Sequence, residues 1–244
     1  MAPSFEILGI AVLFFAINSE FVLAASVKTF NIPTLTLNNG KTIPSIGYGT
    51  SKVDGLEAAL NSALEAGYRH IDTATRYQNE KIIGNVTKKW ITEGKLKRED
   101  LFLTTKLPFS GNRPEDVSKY LKQSLENLQT DYVDLYLIHS PIGCKEVEEI
   151  KPGYMCDDNS LDLTTDHIAI WKEMEKHVDA GLAKAIGLSN FNQTQIERIL
   201  KNSRIKPSSL QVELHAYFQQ NELVDFCKAN GILVTAYAPL GSVV

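Results

Sequence analysis

Four side chains that could share one chemical task follow successive apolar segments of the chain. Asp72 and Tyr77 lie in GYRHIDTATRYQNE (residues 67–80), Lys106 ends TTK, and His139 follows YLI. An ammonium about 4 Å from a phenol favours the phenolate by roughly 4 kcal/mol at an effective dielectric near 20, so Tyr77 beside Lys106 could deliver a proton near neutral pH. Asp72 would keep Lys106 charged, and a neutral His139 would orient a carbonyl oxygen toward Tyr77.

A group that protonates a carbonyl oxygen needs a partner that delivers hydride to the carbon, and no side chain does this. A nicotinamide cofactor does. Ser189, Asn190 and Gln211 are suited to hydrogen-bond its carboxamide, and Tyr237 could stack beneath its ring. Together these groups predict an enzyme that reduces aldehydes or ketones.

Taken singly, each of these residues also has an ordinary structural explanation. An aspartate such as Asp72 after a strand is commonly a turn or cap residue, and a lysine such as Lys106 often extends along the surface. His139 and Tyr77 could be core residues, and Ser189 with Asn190 could begin a helix. Their order along the chain, each at the end of an apolar segment, favours the chemical interpretation.

The elements that must position these residues alternate regularly. After a hairpin predicted by TLTLNNGKTIPSI, seven apolar strand segments alternate with amphipathic helices, two of which are expected to start at Pro114 and Asn192. This alternation predicts parallel strands, which fit a doubly wound sheet or a TIM barrel. Polar residues stand at the ends of many strands, as in the active site of a TIM barrel. The segment GYGTSK lacks the third glycine of a dinucleotide-binding loop, which argues against the doubly wound sheet. We therefore predict an α/β fold of the TIM (β/α)8 type that ends after its seventh strand.

Composition limits the other possibilities. The 244 residues carry a formal net charge of −4 and no basic cluster, so we expect no nucleic-acid partner. We also expect a monomer that acts on a small carbonyl substrate. Three cysteines without metal-binding spacing argue against a zinc site or a disulfide framework, although one Cys144–Cys156 bridge stays possible. The remaining histidines have no metal spacing and are expected to be structural: His70, His167, His177 and His215.

The first thirty residues have a different character. An apolar run, Ile7–Ile17, is followed by the small residues of VLAA, which predicts a secretory signal peptide over residues 1–25, a barrel over 28–244 and an exported protein. No lysine or arginine precedes the run, so a retained anchor, a disordered leader or a mis-assigned start are alternatives, and a cytoplasmic location follows if the leader does not function. The sequons at Asn85 and Asn192 are compatible with export.

The chain resembles the aldo-keto reductase family. Its motifs GYRHIDTAxxYxNE, TTKL, LIHxP, KAIGxSNFN, QVExH and YxPLGS all have counterparts between Ile32 and the last residue. The resemblance implies Tyr77 as general acid, Asp72 and Lys106 as its support, and NADP(H) as cofactor with NAD(H) as the alternative. The cofactor contacts that it implies are Thr50, Asp72, Ser189, Asn190, Gln211, Tyr237, Leu240 and Ser242, and the substrate contacts are Ser51, His139 and Ser140.

Three departures from the family pattern modify these expectations. Ser51 and Ser140 stand where many members have tryptophan, so a wider pocket is expected, which would suit a steroid; the secreted insect 3-dehydroecdysteroid reductases also resemble the chain in carrying a leader. The sequence stops at Val244, before the segment that grips the 2′-phosphate in the family. We therefore expect weak binding with little discrimination between NADPH and NADH. The alternative function is a catalytically impaired binding or structural protein.

Overall fold

The computed structural model describes residues 32–145, 156 and 159–241, so the predicted leader and Ser242 lie outside the described residues. Seven parallel strands form one sheet in the order β3-β4-β5-β6-β9-β10-β11. These strands are β3 (Gly47–Gly49), β4 (His70–Asp72), β5 (Phe102–Leu107), β6 (Leu135–Ile138), β9 (Ile186–Ser189), β10 (Ser209–Glu213) and β11 (Leu233–Tyr237). Their order follows the chain without the reversal that a doubly wound sheet requires. The prediction of a TIM-type barrel is confirmed.

A helix connects each strand to its successor in the sheet. The helices are α1 (Leu56–Glu65), α2 (Glu80–Thr92), α3 (Pro114–Leu128), α4 (His167–Asp179), α5 (Gln193–Asn202) and α6 (Asn221–Ala229). Helix α3 starts at Pro114 as predicted, because proline at the first turn has no backbone N–H to satisfy. Asn192 caps α5 by accepting from the Gln195 backbone N–H, which confirms the predicted capping box.

The core lies between the sheet and the helices, and each helix contributes one apolar stripe to it. In α3 the buried apolar residues are Val117, Tyr120, Leu121, Leu125 and Leu128, the stripe that helical periodicity predicts. Helices α2 and α3 approach closely at Gly84, where an added Cβ would collide with the backbone of Asn127. A side chain at that position would therefore push the two helices apart.

The predicted hairpin closes one end of the sheet. Strands β1 (Thr34–Thr36) and β2 (Thr42–Pro44) pair antiparallel on either side of a turn that contains Gly40, whose φ is +81°. The Asn38 Nδ2 atom donates to the Pro207 carbonyl at 2.8 Å, and Leu37 and Ile43 are buried in a small apolar cluster with the first residues of β5 and β6. The hairpin thus covers the amino-terminal end and leaves the carboxyl ends for a site.

A second, shorter hairpin follows β6. Its strands are β7 (Gly143–Cys144) and β8 (Leu161–Asp162), and a disulfide joins Cys144 to Cys156. The bridge that the sequence left possible is therefore present, while Cys227 is a buried free thiol. Arg113 ties this hairpin to the start of α3 by donating to the Cys144 carbonyl at 2.9 Å and pairing with Asp162 at 3.0 Å.

Among the helices within the described ranges, none has the length and apolar character needed to cross a membrane.

Candidate active site

The four residues proposed for proton transfer meet at the carboxyl end of the sheet. Asp72 is the last residue of β4, Lys106 lies near the end of β5, and His139 follows β6 directly. Tyr77 is the last residue of a 3₁₀ turn, Thr75–Tyr77, that follows β4 in the chain. Parallel strands bring their carboxyl ends to one edge, so residues far apart in sequence become neighbours there.

Lys106 is the centre of this group. Its side chain is 0% exposed, and its Nζ atom hydrogen-bonds and ion-pairs with Asp72 Oδ1, donates to the Thr73 carbonyl at 2.9 Å and donates to the Tyr77 hydroxyl at 3.3 Å. Burial opposes the charge, but the negative charge of Asp72, the interaction with Tyr77 and the hydrogen bonds to both residues outweigh it and raise the pKa of Lys106. Lys106 therefore stays an ammonium at neutral pH.

His139 forms one wall of the site. Its ring is edge-on to the ring of Tyr77 at 5.6 Å and to that of Phe109 at 5.3 Å. Burial, followed by the charges of Lys106 and Arg76, lowers the pKa of His139 well below its usual value. The imidazole is therefore neutral at physiological pH, and its buried Nδ1 atom has no hydrogen-bond partner among the described residues. A neutral imidazole can donate one hydrogen bond to a substrate oxygen.

The residues assigned to nicotinamide binding join the same network. Gln211 Nε2 donates to Asp72 Oδ2 at 2.7 Å, and Asn190 Nδ2 donates to the His139 carbonyl at 2.9 Å and to Ser189 Oγ at 3.1 Å. The Tyr237 hydroxyl donates to Asn190 Oδ1 at 2.9 Å. Asn190 adopts φ +64°, a left-handed conformation that asparagine tolerates better than most residues. The structure thus brings hydroxyl, amide and aromatic groups from the ends of β9, β10 and β11 into one network with Asp72 and the His139 carbonyl.

Other sequence-predicted residues have different surroundings. Thr50 is buried and donates to the Asp72 carbonyl at 3.0 Å, so it supports the end of β4. Ser140 is buried beside His139, and its Oγ accepts from the Ile142 N–H at 3.1 Å. Ser51 and Leu240 are exposed.

The four histidines expected to be structural all have polar neighbours. His70 Nε2 lies 3.0 Å from Thr104 Oγ1, His167 Nε2 lies 2.8 Å from the Pro141 carbonyl, His177 Nε2 lies 3.0 Å from Ser118 Oγ, and His215 Nε2 lies 3.1 Å from Glu213 Oε1. Across the residues that the structure describes, no group of three or more His, Cys, Asp or Glu side chains is arranged to hold a metal ion.

Sequence reasoning missed several residues around the site. Glu80 is buried at the start of α2 and accepts from Thr105 Oγ1 at 2.6 Å and from Ser124 Oγ at 3.0 Å; burial raises its pKa. Phe109 contacts His139, and Arg76 lies against Phe109. These residues could have been found from their positions in the sequence. Arg76 directly precedes Tyr77, Glu80 lies three residues after Tyr77, and Phe109 lies three residues after Lys106.

Comparisons with known proteins agree with this arrangement. Residues 39–243 match the model of the Aldo/keto reductase family. The chain is 48% identical over 216 residues to human "Aldo-keto reductase family 1 member C1", a match covering 84% of this chain and 66% of that protein. It is 48% identical over 214 residues to "Aldose reductase" of Encephalitozoon cuniculi, a match covering 86% of this chain and 69% of that protein.

A solved structure shows the same architecture. "Structure of the Aldose Reductase from Schistosoma japonicum" superposes with a TM-score of 0.80 at 47% identity, covering 85% of this chain and 69% of that one. The chain thus spans about two thirds of the length of the relatives that it matches. On the family match and these identities, the chain belongs to the aldo/keto reductase family.

Proposed function

We propose that the chain forms the active site of an NADP(H)-dependent enzyme that reduces aldehydes or ketones to alcohols. The observation that carries the proposal is the contact of the buried Lys106 ammonium with both Asp72 and the Tyr77 hydroxyl. A cation held against a phenol stabilises the phenolate that remains after proton donation. This stabilisation is needed only while the carbonyl is being reduced.

The residues at the strand ends fit a nicotinamide ring. Ser189, Asn190 and Gln211 place hydroxyl and amide groups in the network that includes Asp72 and the His139 carbonyl, and these groups match a carboxamide, which both donates and accepts hydrogen bonds. Tyr237 would hold the face of the ring. When bound, the cofactor would supply the hydride that the protein cannot. NADP(H) is named here on the family resemblance, with NAD(H) as the alternative.

The chain's own residues would handle the proton and the orientation of the substrate. Neutral His139 would donate a hydrogen bond to the substrate carbonyl oxygen and hold it toward the Tyr77 hydroxyl. Tyr77 would then transfer its proton to that oxygen, and the resulting phenolate would be held by Lys106 until solvent returns the proton. Asp72 would keep Lys106 in place, because its carboxylate accepts from both Lys106 and Gln211.

Steady-state kinetics on the 244-residue chain test this proposal. Oxidation of NADPH and NADH would be followed with a panel of aliphatic, aromatic and steroid carbonyl compounds, and cofactor binding would be titrated on the same preparation. Substrate-dependent oxidation that requires Tyr77 supports the reductase. Cofactor binding without turnover of any carbonyl would favour the alternative, a binding protein that retains the motif.

We also propose that the protein is exported after cleavage near Ala24 or Ala25 and acts as a monomer. The Cys144–Cys156 disulfide supports export, because disulfides persist mainly in oxidising compartments. Expression in a secretory host, followed by N-terminal sequencing of protein from the medium, tests the cleavage. Intact Met1 protein found only in the cytosol would contradict it, and sedimentation analysis of the secreted protein measures the oligomeric state.

A further inference from the structure

A cationic side chain stands next to the catalytic tyrosine. Arg76 directly precedes Tyr77 in the 3₁₀ turn and is half-buried. Its guanidinium carbon lies 5.0 Å from the centre of the Phe109 ring. Burial lowers the pKa of Arg76, while its charge contributes to the lowered pKa of His139. The guanidinium is therefore partly withdrawn from water and close enough to act electrostatically on the site.

Four side chains at the carboxyl end of the barrel contact one another in series. Arg76 lies against Phe109 at 5.0 Å, the Phe109 ring meets the His139 ring at 5.3 Å, and the His139 ring meets the Tyr77 ring at 5.6 Å. Phe109 contacts both the guanidinium and the imidazole, so a substrate whose carbonyl oxygen is held by His139 could reach Arg76 across this ring. Phe109 provides an apolar surface between the guanidinium and the imidazole.

We propose that Arg76 determines substrate specificity by binding a carboxylate on the substrate, so that the preferred substrates are aldehydes or ketones whose carboxylate is separated from the carbonyl by a short apolar spacer. This proposal rests on the reductase function proposed above and names its substrate class. Phe109 would contact the spacer.

The chemistry of the guanidinium favours this ligand. Its planar fork matches the two oxygens of a carboxylate, and such charge-assisted hydrogen bonds are stronger than neutral ones, especially where water is partly excluded. Arg76 can keep its other contacts, because a guanidinium presents five N–H donors. The Lys106 ammonium is paired with Asp72, so the two charges nearest the acid largely offset each other. An uncharged steroid ketone has no carboxylate to accept hydrogen bonds from the Arg76 guanidinium.

The test compares two aldehydes of similar shape that differ in charge, 4-carboxybenzaldehyde and methyl 4-formylbenzoate. The wild-type chain should reduce the carboxylate with a kcat/KM at least tenfold above that for the ester. Arg76→Gln should lower this ratio at least tenfold, mainly through the KM of the carboxylate, whereas Arg76→Lys should retain part of it. Arg198→Gln, at an exposed arginine on α5, is the matched control and should leave the ratio unchanged.

Ionic strength and binding give independent readouts. Added salt should raise the KM of the carboxylate but not that of the ester, because salt screens charge pairs near the surface. Calorimetric titration of the product anion, 4-(hydroxymethyl)benzoate, and its methyl ester should show the same preference for the anion in the wild type and its loss in Arg76→Gln.

The outcomes separate this inference from the reductase function. If both aldehydes are reduced equally, or if the preference for the carboxylate survives in Arg76→Gln, the role of Arg76 is wrong while the reductase stands. If neither aldehyde is reduced, the titration decides whether Arg76 binds the anion, and the reductase function fails only if no carbonyl compound of the panel described above is reduced. Equal or undetectable binding of the anion and its ester would then overturn the inference, and binding of the anion that depends on Arg76 would support it.

Discussion

The Nζ atom of Lys106 lies 3.3 Å from the hydroxyl oxygen of Tyr77, although 29 residues separate them. The contact depends on β4 and β5 being parallel neighbours, with Asp72 opposite Thr104 in the register. Tyr77 is carried back toward the end of β5 by the 3₁₀ turn that follows β4. This geometry makes the phenol the group whose removal should affect chemistry most selectively.

Tyr77→Phe should lower the rate of carbonyl reduction by about 10²-fold to 10⁴-fold, the range for loss of a general acid. Binding of the nicotinamide cofactor should change little, because the phenol acts only as hydride moves. Tyr217→Phe, at a tyrosine that is 99% exposed, is the matched control. Steady-state rates and cofactor fluorescence titration on one preparation measure both effects, and a Tyr77→Phe enzyme with most of its rate would refute the assignment.

Lys106→Met should abolish activity and destabilise the fold by roughly 3 kcal/mol, since removing one partner of a buried ion pair leaves the other uncompensated. Asp72 would be left with Gln211 as its remaining side-chain donor among the described residues. The double variant Lys106→Met/Asp72→Asn should be more stable than Lys106→Met and equally inactive. Urea unfolding compares the three proteins, and a double variant that is no more stable would show that the charge pair is not the cause.

His70 should make stability depend on pH. Burial, opposed by the charge of Asp72, lowers the pKa of His70 to about 4. A histidine in the unfolded chain titrates near pH 6.5. As the pH falls, the unfolded chain therefore binds the proton before the folded protein does, and the free energy of unfolding should fall between about pH 6.5 and about pH 4. The loss of folding free energy that is due to His70 is on the order of 3 kcal/mol across this range. Above about pH 6.5 His70 is neutral in both states and causes no such loss.

Urea unfolding of wild type and His70→Gln at a series of pH values between 4 and 7 tests this expectation. The variant should show a flatter dependence, because glutamine does not titrate. Parallel curves for the two proteins would mean that other groups, such as the buried His139, produce the pH dependence.

The Cys144–Cys156 disulfide should stabilise the protein, because it closes a loop with a sequence separation of 12. Cys156→Ser should lower the free energy of unfolding by about 2–4 kcal/mol, and a reducing agent should lower that of the wild type by a similar amount. The same agent should leave Cys156→Ser unchanged, since Cys227 is a free buried thiol. Peptide mapping without reduction identifies the bridge, and its absence in secreted protein would contradict the pairing.

Tyr237 should contribute to cofactor binding chiefly through its ring. Tyr237→Ala should weaken binding of the nicotinamide cofactor at least tenfold, about 1.4 kcal/mol. Tyr237→Phe keeps the ring and removes only the hydrogen bond to Asn190, so it should weaken binding less than the alanine variant. Fluorescence titration distinguishes the two, and equal losses would assign the effect to the hydroxyl.

Much of this protein is readable from local sequence patterns. The alternation of apolar strands with amphipathic helices indicates a parallel sheet covered by helices, because this arrangement buries the strands and the apolar face of each helix. The turn at Gly40 and the helix starts at Pro114 and Asn192 depend only on neighbouring residues. Asp72, Lys106 and His139 could be assigned to one mouth because the carboxyl ends of parallel strands share an edge.

Other features were decided only by the tertiary structure. The bond from Gln211 to Asp72 joins residues 139 positions apart, and its existence depends on how the whole sheet curves. The ring contact of Phe109 with His139 and the placement of Arg76 against Phe109 depend on the paths of two turns that follow different strands. Sequence periodicity shows which face of an element is buried, but distances between side chains on separate elements arise from register, twist and packing, which involve the whole chain at once.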